Sequence, residues 1–143
     1  PGVIREAGCD PVGLEELWAG SDLISLHCPS TAQTRFLVNQ ATIQKMKKGV
    51  LLVNASRGDL VQTEDLIAAL ESGQIGGAAL DVCYPEPIPK DSPLLRMPNV
   101  LITPHVASAS VRAVEALRRS AAGAVARAVR GEKLLNVVNG VVA

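Results

Sequence analysis

Four short apolar segments alternate with helix-forming segments along the 143-residue chain, and this alternation constrains the fold more than any other feature. Each apolar segment is three to six residues long and is bounded by proline, glycine or polar residues. Strands that alternate with helices are typical of a parallel α/β sheet, and an unbroken aliphatic run is typical of a strand buried on both faces. The sequence therefore predicts parallel strands at 23–26, 50–53, 77–82 and 100–102.

Residues that can cap a helix N-terminus precede three of the predicted helices, and a glycine that can end the helix follows each of them. A short amphipathic segment at 14–19 predicts a further helix before the first strand. The cap and the closing glycine are Asn39 and Gly49 for the first helix, Thr63 and Gly73 for the second, and Ser110 and Gly131 for a long helix over about 111–130.

Composition excludes several classes of function. The 14 basic and 14 acidic residues cancel, so there is no basic footprint for nucleic acid, and aromatic residues make up only 2%. No apolar run reaches the ~18 residues that a membrane span needs. Cys9, Cys28 and Cys83 are odd in number and lack CxxC spacing, so we expect no disulfide framework, no metal site and a reducing, cytoplasmic environment.

Polar and ionisable residues follow every predicted strand. In an open parallel sheet, ligands bind beyond the carboxyl ends of the strands, so these residues are expected to converge on one edge. They are His27 and Cys28 after the first strand, the segment 54–58 after the second, Asp81 and Glu86 after the third, and His105 after the fourth.

Three of these residues suggest acid/base chemistry on a carboxylate substrate. An imidazole such as that of His105 can exchange a proton near neutral pH. Glu86 is the best-placed carboxylate to hold that ring and fix its tautomer. Arg57 offers a planar, charged fork that suits a carboxylate. Together they predict a site for a carboxylate beside a hydroxyl or keto group.

Simpler interpretations compete with this one. A single histidine, Arg-Gly pair or loop glutamate after a strand is more often structural than catalytic, and His27 competes with His105 for the acid/base role. Asp81 fits a turn or a ligand contact equally well, whereas Cys28 and Cys83 fit small buried side chains. The glycines within 73–77 precede a strand instead of following one, which argues against a phosphate-binding loop.

Four spaced stretches resemble the D-isomer-specific 2-hydroxyacid dehydrogenases over almost the whole chain. They are SDLISLHCPSTAQTRFLVN, MKKGVLLVNASRGDLVQTEDLIAAL, GGAALDVCYPEP and SPLLRMPNVLITPHVASAS. HVASASVRAVEALRRSAA and the tail LLNVVNG are most similar to the phosphoglycerate dehydrogenase and C-terminal-binding-protein-like branches. The resemblance implies a partial Rossmann-type parallel sheet with flanking helices, the C-terminal portion of an NAD-binding domain. The GxGxxG segment and the substrate domain of full-length members are not found in residues 1–143.

The resemblance also implies roles for individual residues. Arg57 would bind the substrate carboxylate and carbonyl, Glu86 would support the histidine, and His105 would donate and accept the proton. Glu86 also argues against a formate dehydrogenase-like enzyme, which needs no proton transfer. The implied cofactor is NAD, with NADP also open. Its implied contacts are Cys28, Ala55, Ser56, Arg57, Asp81, His105 and Ser108.

Three functional hypotheses follow. The first is an oxidoreductase that transfers a hydride between NAD(P) and a small D-2-hydroxy acid or 2-keto acid, with a homodimer implied for the full-length family member. The second is a non-catalytic module that responds to a dinucleotide or binds a partner, because the phosphate loop is missing from the sequence. The third is an inactive remnant, against which the presence of Arg57, Glu86 and His105 counts.

Overall fold

The structure is a computed structural model that describes residues 2–135 and 137. It divides into two compact units, one that ends at His105 and one that begins at Val106. Part of the tail segment LLNVVNG lies outside the described residues.

The first unit contains a four-stranded parallel sheet in the order β1-β2-β3-β4. This confirms the predicted α/β class and the parallel strand arrangement. Because all four strands run the same way, the loops after their carboxyl ends meet at one edge of the sheet. The strands are β1 (Leu23–Leu26), β2 (Val50–Asn54), β3 (Ile75–Leu80) and β4 (Val100–Ile102).

Helices precede, connect and follow the strands along the chain, and two short 3₁₀ turns lie between strands, at Gly58–Leu60 and Pro93–Arg96. The helix α1 and the two turns were not predicted from the sequence, because each is only three to five residues long. The α-helices are α1 (Gly2–Glu6), α2 (Leu14–Gly20), α3 (Gln40–Ile43), α4 (Thr63–Glu71) and α5 (Val111–Val129).

Strand β3 begins and ends two residues earlier than the predicted 77–82, so that Ile75 and Gly76 lie within the strand instead of before it. A Cβ on Gly76 would lie 2.6 Å from the carbonyl oxygen of Gly49, and one on Gly77 would lie 3.0 Å from that of Asn99. The neighbouring backbone therefore leaves room only for glycine at position 76 and little room at position 77, so glycine here marks close packing instead of a strand boundary.

Asn39 caps α3 as predicted, but the helix is shorter than expected. The Asn39 side chain accepts hydrogen bonds from the amides of Ala41 and Thr42, which forms a capping box. The helix ends at Ile43 instead of continuing through Met46. Gln74 Nε2 donates to the carbonyls of both residues, at 3.2 and 2.9 Å, and so satisfies groups that a longer helix would have paired.

The predicted cap of α4 was wrong by one residue. Gln62 occupies the N-cap position and makes no side-chain capping bond, whereas Thr63 is the first helical residue. The Thr63 hydroxyl donates instead to the main-chain carbonyl of Tyr84. The sequence predicted that the Thr63 hydroxyl would cap the helix, but this hydroxyl makes a tertiary hydrogen bond instead.

The core lies on one face of the sheet, where α2, α3 and α4 contribute Trp18, Ile43, Leu66 and Leu70. The alternating pattern of β1 and β2 directs one set of side chains into this core and the other set away from it. The buried set is Ile24, Leu26, Val50, Leu52 and Asn54, and the exposed set includes Leu23 and Leu51.

The second unit consists mainly of α5, whose predicted caps are confirmed. The Ser110 side chain accepts a hydrogen bond from the amide of Ala113, and Gly131 has a φ of +67° just beyond the helix. Of the helices in the described residues, none combines the length and apolarity that a bilayer crossing requires.

Candidate active site

The loop after β3 brings Glu86 to His105, which follows β4. Glu86 Oε1 lies 2.7 Å from His105 Nδ1, and both side chains are about half exposed. A carboxylate at this distance holds the imidazole and favours the tautomer with the proton on Nδ1. The second ring nitrogen, Nε2, makes no hydrogen bond to the described residues and is available to a substrate.

His105 has an unusual main-chain conformation. Its φ is +56°, in the left-handed region that residues other than glycine seldom adopt. Its amide donates to the carbonyl oxygens of Asp81, at 2.9 Å, and Thr103, at 3.0 Å. These bonds offset the cost of the left-handed conformation, which is of the kind found at functional sites.

Asp81 and Thr103 join the loop after β3 to the loop after β4, which carries His105. The Thr103 hydroxyl donates to Asp81 Oδ1 at 2.5 Å, and Asp81 is buried. The Asp81 amide donates to the carbonyl of Asn54, which carries the pairing of β2 and β3 one residue beyond the end of β3. Asp81 therefore connects three strand ends, and sequence analysis had left its role open between a turn and a ligand contact.

Asn54 builds the turn that carries Arg57. Its buried side chain accepts from the amide of Ser56 at 3.1 Å and donates to the carbonyl of Arg57 at 2.8 Å. The Ser56 hydroxyl donates to the carbonyl of Cys28 at 2.6 Å and so ties the turn to the loop after β1. Asn54 belongs to the segment 54–58 that was predicted to lie at this edge, but its turn-building role was not predicted, although a polar residue ending an aliphatic strand could have indicated it.

The guanidinium of Arg57 is exposed, and its Nη1 donates to the carbonyl of Ser56 at 2.7 Å. Among the described residues it makes no hydrogen bond or ion pair with Glu86 or His105. The structure thus brings two of the three predicted catalytic side chains into contact and leaves the third at the same sheet edge but separate.

Gly58 fixes the distance between the loops after β2 and β3. A Cβ at this position would lie 1.9 Å from the carbonyl oxygen of Cys83, a distance that no real contact allows. Only glycine can therefore sit next to Arg57 while the loop that carries Glu86 passes so close. This requirement comes from the tertiary structure and was not recognised from the sequence.

A cavity of about 320 Å³ adjoins the Glu86–His105 pair. Its lining is mostly apolar and does not include Arg57. Burial raises the pKa of the Cys83 thiol at its wall, and the negative charge of Glu86 raises it further. The nine residues that line the cavity are Asp81, Cys83, Glu86, Pro87, Ile88, Ile102, Thr103, Pro104 and His105.

The remaining predicted cofactor contacts lie in three places. Cys28 and Ser56 are joined by their hydrogen bond, and the neighbouring Ala55 is exposed. Ser108 belongs to the second unit.

His27, the competing histidine, bonds through Nε2 to Ser25 Oγ at 2.8 Å and has no bond to a carboxylate in the described part of the chain.

The three cysteines are free thiols. Within residues 2–135 and 137, no group of three or more His, Cys, Asp or Glu side chains is placed to hold a metal ion.

Residues 2–107 match the family described as D-isomer specific 2-hydroxyacid dehydrogenase, NAD binding domain. A glyoxylate reductase of Thermofilum pendens is 41% identical over 126 residues, which cover 88% of this chain and 37% of that protein. The chain spans between about a third and a half of the length of the relatives described here.

Two solved structures share the fold. The pyruvate reductase of Chlamydomonas reinhardtii is 38% identical with a TM-score of 0.86, covering 95% of this chain and 46% of that chain. A D-isomer-specific 2-hydroxyacid dehydrogenase from Xanthobacter autotrophicus, solved with NADPH and MES, is 38% identical with a TM-score of 0.75, covering 88% and 51%.

Proposed function

The chain belongs to the D-isomer-specific 2-hydroxyacid dehydrogenase family, and from that premise we propose that its residues serve hydride transfer between NAD(P) and a small D-2-hydroxy acid or its 2-keto counterpart. The observation that carries the proposal is the 2.7 Å contact between Glu86 and His105 at the carboxyl edge of the sheet. Residues 1–143 would supply the C-terminal portion of the NAD-binding domain.

His105 is the proposed acid and base. Because Nδ1 is bound by Glu86, Nε2 is the atom that would take the proton of the substrate hydroxyl. In the reverse direction the same nitrogen would return a proton to the keto oxygen. The Glu86 carboxylate would stabilise the imidazolium formed between these steps. Proton transfer by a positioned acid or base such as His105 is typically worth about 10²–10⁴ in rate.

Arg57 is the proposed substrate clamp. One of its nitrogens donates to Ser56, which leaves further N–H groups of the planar fork for a carboxylate. The turn built by Asn54 holds its main chain. Because Arg57 makes no hydrogen bond or ion pair with Glu86 or His105, a bound hydroxy acid would lie between them, with its carboxylate on Arg57 and its hydroxyl on His105.

The cavity beside the acid/base pair is the proposed site of the nicotinamide ring, since it combines a volume of about 320 Å³ with apolar walls such as Ile88 and Ile102. The bound nicotinamide would supply the hydride acceptor or donor. The chain's own proposed contacts to the cofactor are those already named at Cys28, Ala55, Ser56, Arg57, Asp81, His105 and Ser108.

A cytoplasmic location and a homodimer belong to the same proposal. The free state of Cys9, Cys28 and Cys83 supports a reducing compartment, and the dimer rests on family membership alone. Cell fractionation tests the first, and light scattering of the intact protein tests the second.

Oxidation of NADH and NADPH by the intact protein, with glyoxylate, hydroxypyruvate and pyruvate as substrates, tests the activity. We expect His105→Gln to lower kcat by about 10²–10⁴ while the fold is kept. His27→Gln is the discriminating variant, because it removes the competing imidazole at the same sheet edge. Full turnover in His105→Gln, or the larger loss in His27→Gln, overturns the assignment.

A non-catalytic, dinucleotide-responsive module is the second candidate. It is favoured by the separation of Arg57 from the cavity that holds the other two side chains. Calorimetric titration of the intact protein with NADH separates the candidates when combined with the assay. Binding without turnover on any 2-keto acid supports the module, whereas turnover excludes it.

A further inference from the structure

The loop that carries Glu86 is anchored at both ends, where Cys83 and Ile88 pack against the core, but its middle is exposed. Residues 84–87 are all exposed, and Tyr84 keeps 40% of its surface accessible. Pro85 lies between Tyr84 and Glu86, and its ring fixes one main-chain torsion of this short connection. Whatever holds Tyr84 therefore constrains where the Glu86 carboxylate can reach.

Tyr84 is held by the loop after β1. Arg35 Nη2 donates to the Tyr84 hydroxyl at 2.9 Å. The guanidinium carbon lies 4.7 Å from the ring centre of Phe36 and 5.3 Å from that of Tyr84. The two rings meet edge to face, with their centres 5.5 Å apart and an interplanar angle of 69°.

The main chains of Phe36 and Tyr84 are anchored as well. Phe36 has a φ of +51°, its amide donates to the carbonyl of Asp59 at 2.8 Å, and its carbonyl accepts from Asn39 Nδ2 at 2.8 Å. The main-chain carbonyl of Tyr84 accepts from the Thr63 hydroxyl. Tyr84 is thus fixed at its hydroxyl, its ring and its carbonyl.

Arg35 makes no ion pair within the described residues. Its guanidinium is committed instead to two aromatic faces and one phenol. A planar guanidinium can stack and donate at the same time, which a lysine ammonium cannot do in the same geometry. The interaction therefore joins two loops of the candidate site and does not neutralise a nearby carboxylate.

We propose that Arg35 is a positioning residue that acts through Tyr84 to hold the Glu86 carboxylate against His105. Its importance for catalysis rests on the proposed function, because that function assigns the acid/base role to the Glu86–His105 pair. The positioning itself is independent of substrate and can be measured on the chain alone.

Nuclear magnetic resonance of the 143-residue chain tests the proposal. The variants R35Q and Y84F remove the guanidinium–phenol bond from either side, and Y84F does so by deleting one oxygen from an exposed ring. We expect the ¹⁵N order parameter of the Glu86 amide to fall from about 0.85 to below about 0.6 in both. At pH about 9, where an ordinary imidazole is neutral, the His105 ring nitrogens should shift from one tautomer toward a mixture.

Two further variants sharpen the test. Because Y84F keeps the ring on which Arg35 stacks, R35Q should lose more order at Glu86 than Y84F, and the double variant R35Q/Y84F should lose no more than R35Q alone. R119Q breaks the exposed Arg119–Glu115 pair on α5 and should leave both signals unchanged.

Unchanged Glu86 order and unchanged His105 ring signals in both single variants overturn the proposal, as does an additive loss in the double variant. Since no substrate is present, a failed dehydrogenase assay would leave this result standing. If the enzyme is active but R35Q leaves the order parameter of the Glu86 amide unchanged, only the positioning role of Arg35 is rejected.

Discussion

Gly58 lies so close to Cys83 that a single added carbon would collide with the main chain. The Cβ of any other residue would lie 1.9 Å from the Cys83 carbonyl oxygen and 2.3 Å from its carbonyl carbon. This contact joins the loop of Arg57 to the loop of Glu86 through backbone alone, with no side chain that could move aside.

Gly58→Ala is therefore expected to separate the two loops or to unfold the first unit. We expect a loss of about 2–4 kcal/mol in the free energy of unfolding, which urea titration measures, because overpacking against rigid backbone exceeds the usual cost of 1–3 kcal/mol. Gly123→Ala is the matched control, since nothing lies within 4 Å of a Cβ there. Alanine inside the α5 helix should stabilise it by up to about 1 kcal/mol. Equal stability of Gly58→Ala and the natural chain would contradict the structure.

Asn54→Ala should destabilise the first unit by about 1–3 kcal/mol. The substitution leaves the Ser56 amide and the Arg57 carbonyl without their partner at a buried position. Chemical denaturation measures the change. Asn99→Ala, at an exposed asparagine with one 3.2 Å bond to Gly76, should cost less than about 0.5 kcal/mol, and a reversed order of the two variants would refute the turn-building role.

Gln62→Asp should stabilise the chain by up to about 1 kcal/mol, because a new capping bond outweighs the loss of the exposed bond from Gln62 Nε2 to Glu64 Oε2. Gln62 stands at the N-cap of α4 without a capping bond, and its Oε1 is buried and unpaired. A shorter carboxylate can accept from the first-turn amides and also interacts favourably with the helix dipole. Thermal unfolding measures the gain, and Gln33→Asp, in an exposed loop, serves as the control with no change expected.

The Cys83 thiol should react more slowly with iodoacetamide than the exposed Cys9 at pH about 8. Burial, and secondarily the charge of Glu86, raises the pKa of Cys83, so less of it is the reactive thiolate at a given pH. Its alkylation should therefore rise at a higher pH than that of an ordinary thiol, as resolved by mass spectrometry of the modified peptides.

Glu86→Gln removes the smaller of the two causes. It should lower the pKa of Cys83 and speed its alkylation, while burial keeps the rate below that of Cys9. A slower reaction in Glu86→Gln would have the wrong sign and would contradict the assigned cause.

Local pattern predicted much of the fold because the relevant physics is local. The bounds of β1 and β4 follow from short aliphatic runs closed by prolines, and the caps at Asn39 and Ser110 need only a side chain and the next three amides. Thr63 and Gly76, at the start of β3, were misplaced for the opposite reason. Their roles are set by Tyr84 and Gly49, which lie far away along the chain.

By itself, the sequence determined that the chain forms a parallel α/β sheet and that Arg57, Glu86 and His105 follow strands on one edge of it. Strand direction and hydrophobic period suffice for both statements. Only the tertiary structure decided that Glu86 touches His105, that Arg57 stands apart, and that Gly58 and Arg35 set the spacing of the loops. Contacts between exposed loops depend on atomic positions to within a few tenths of an ångström, and no pattern in a single chain encodes positions that finely.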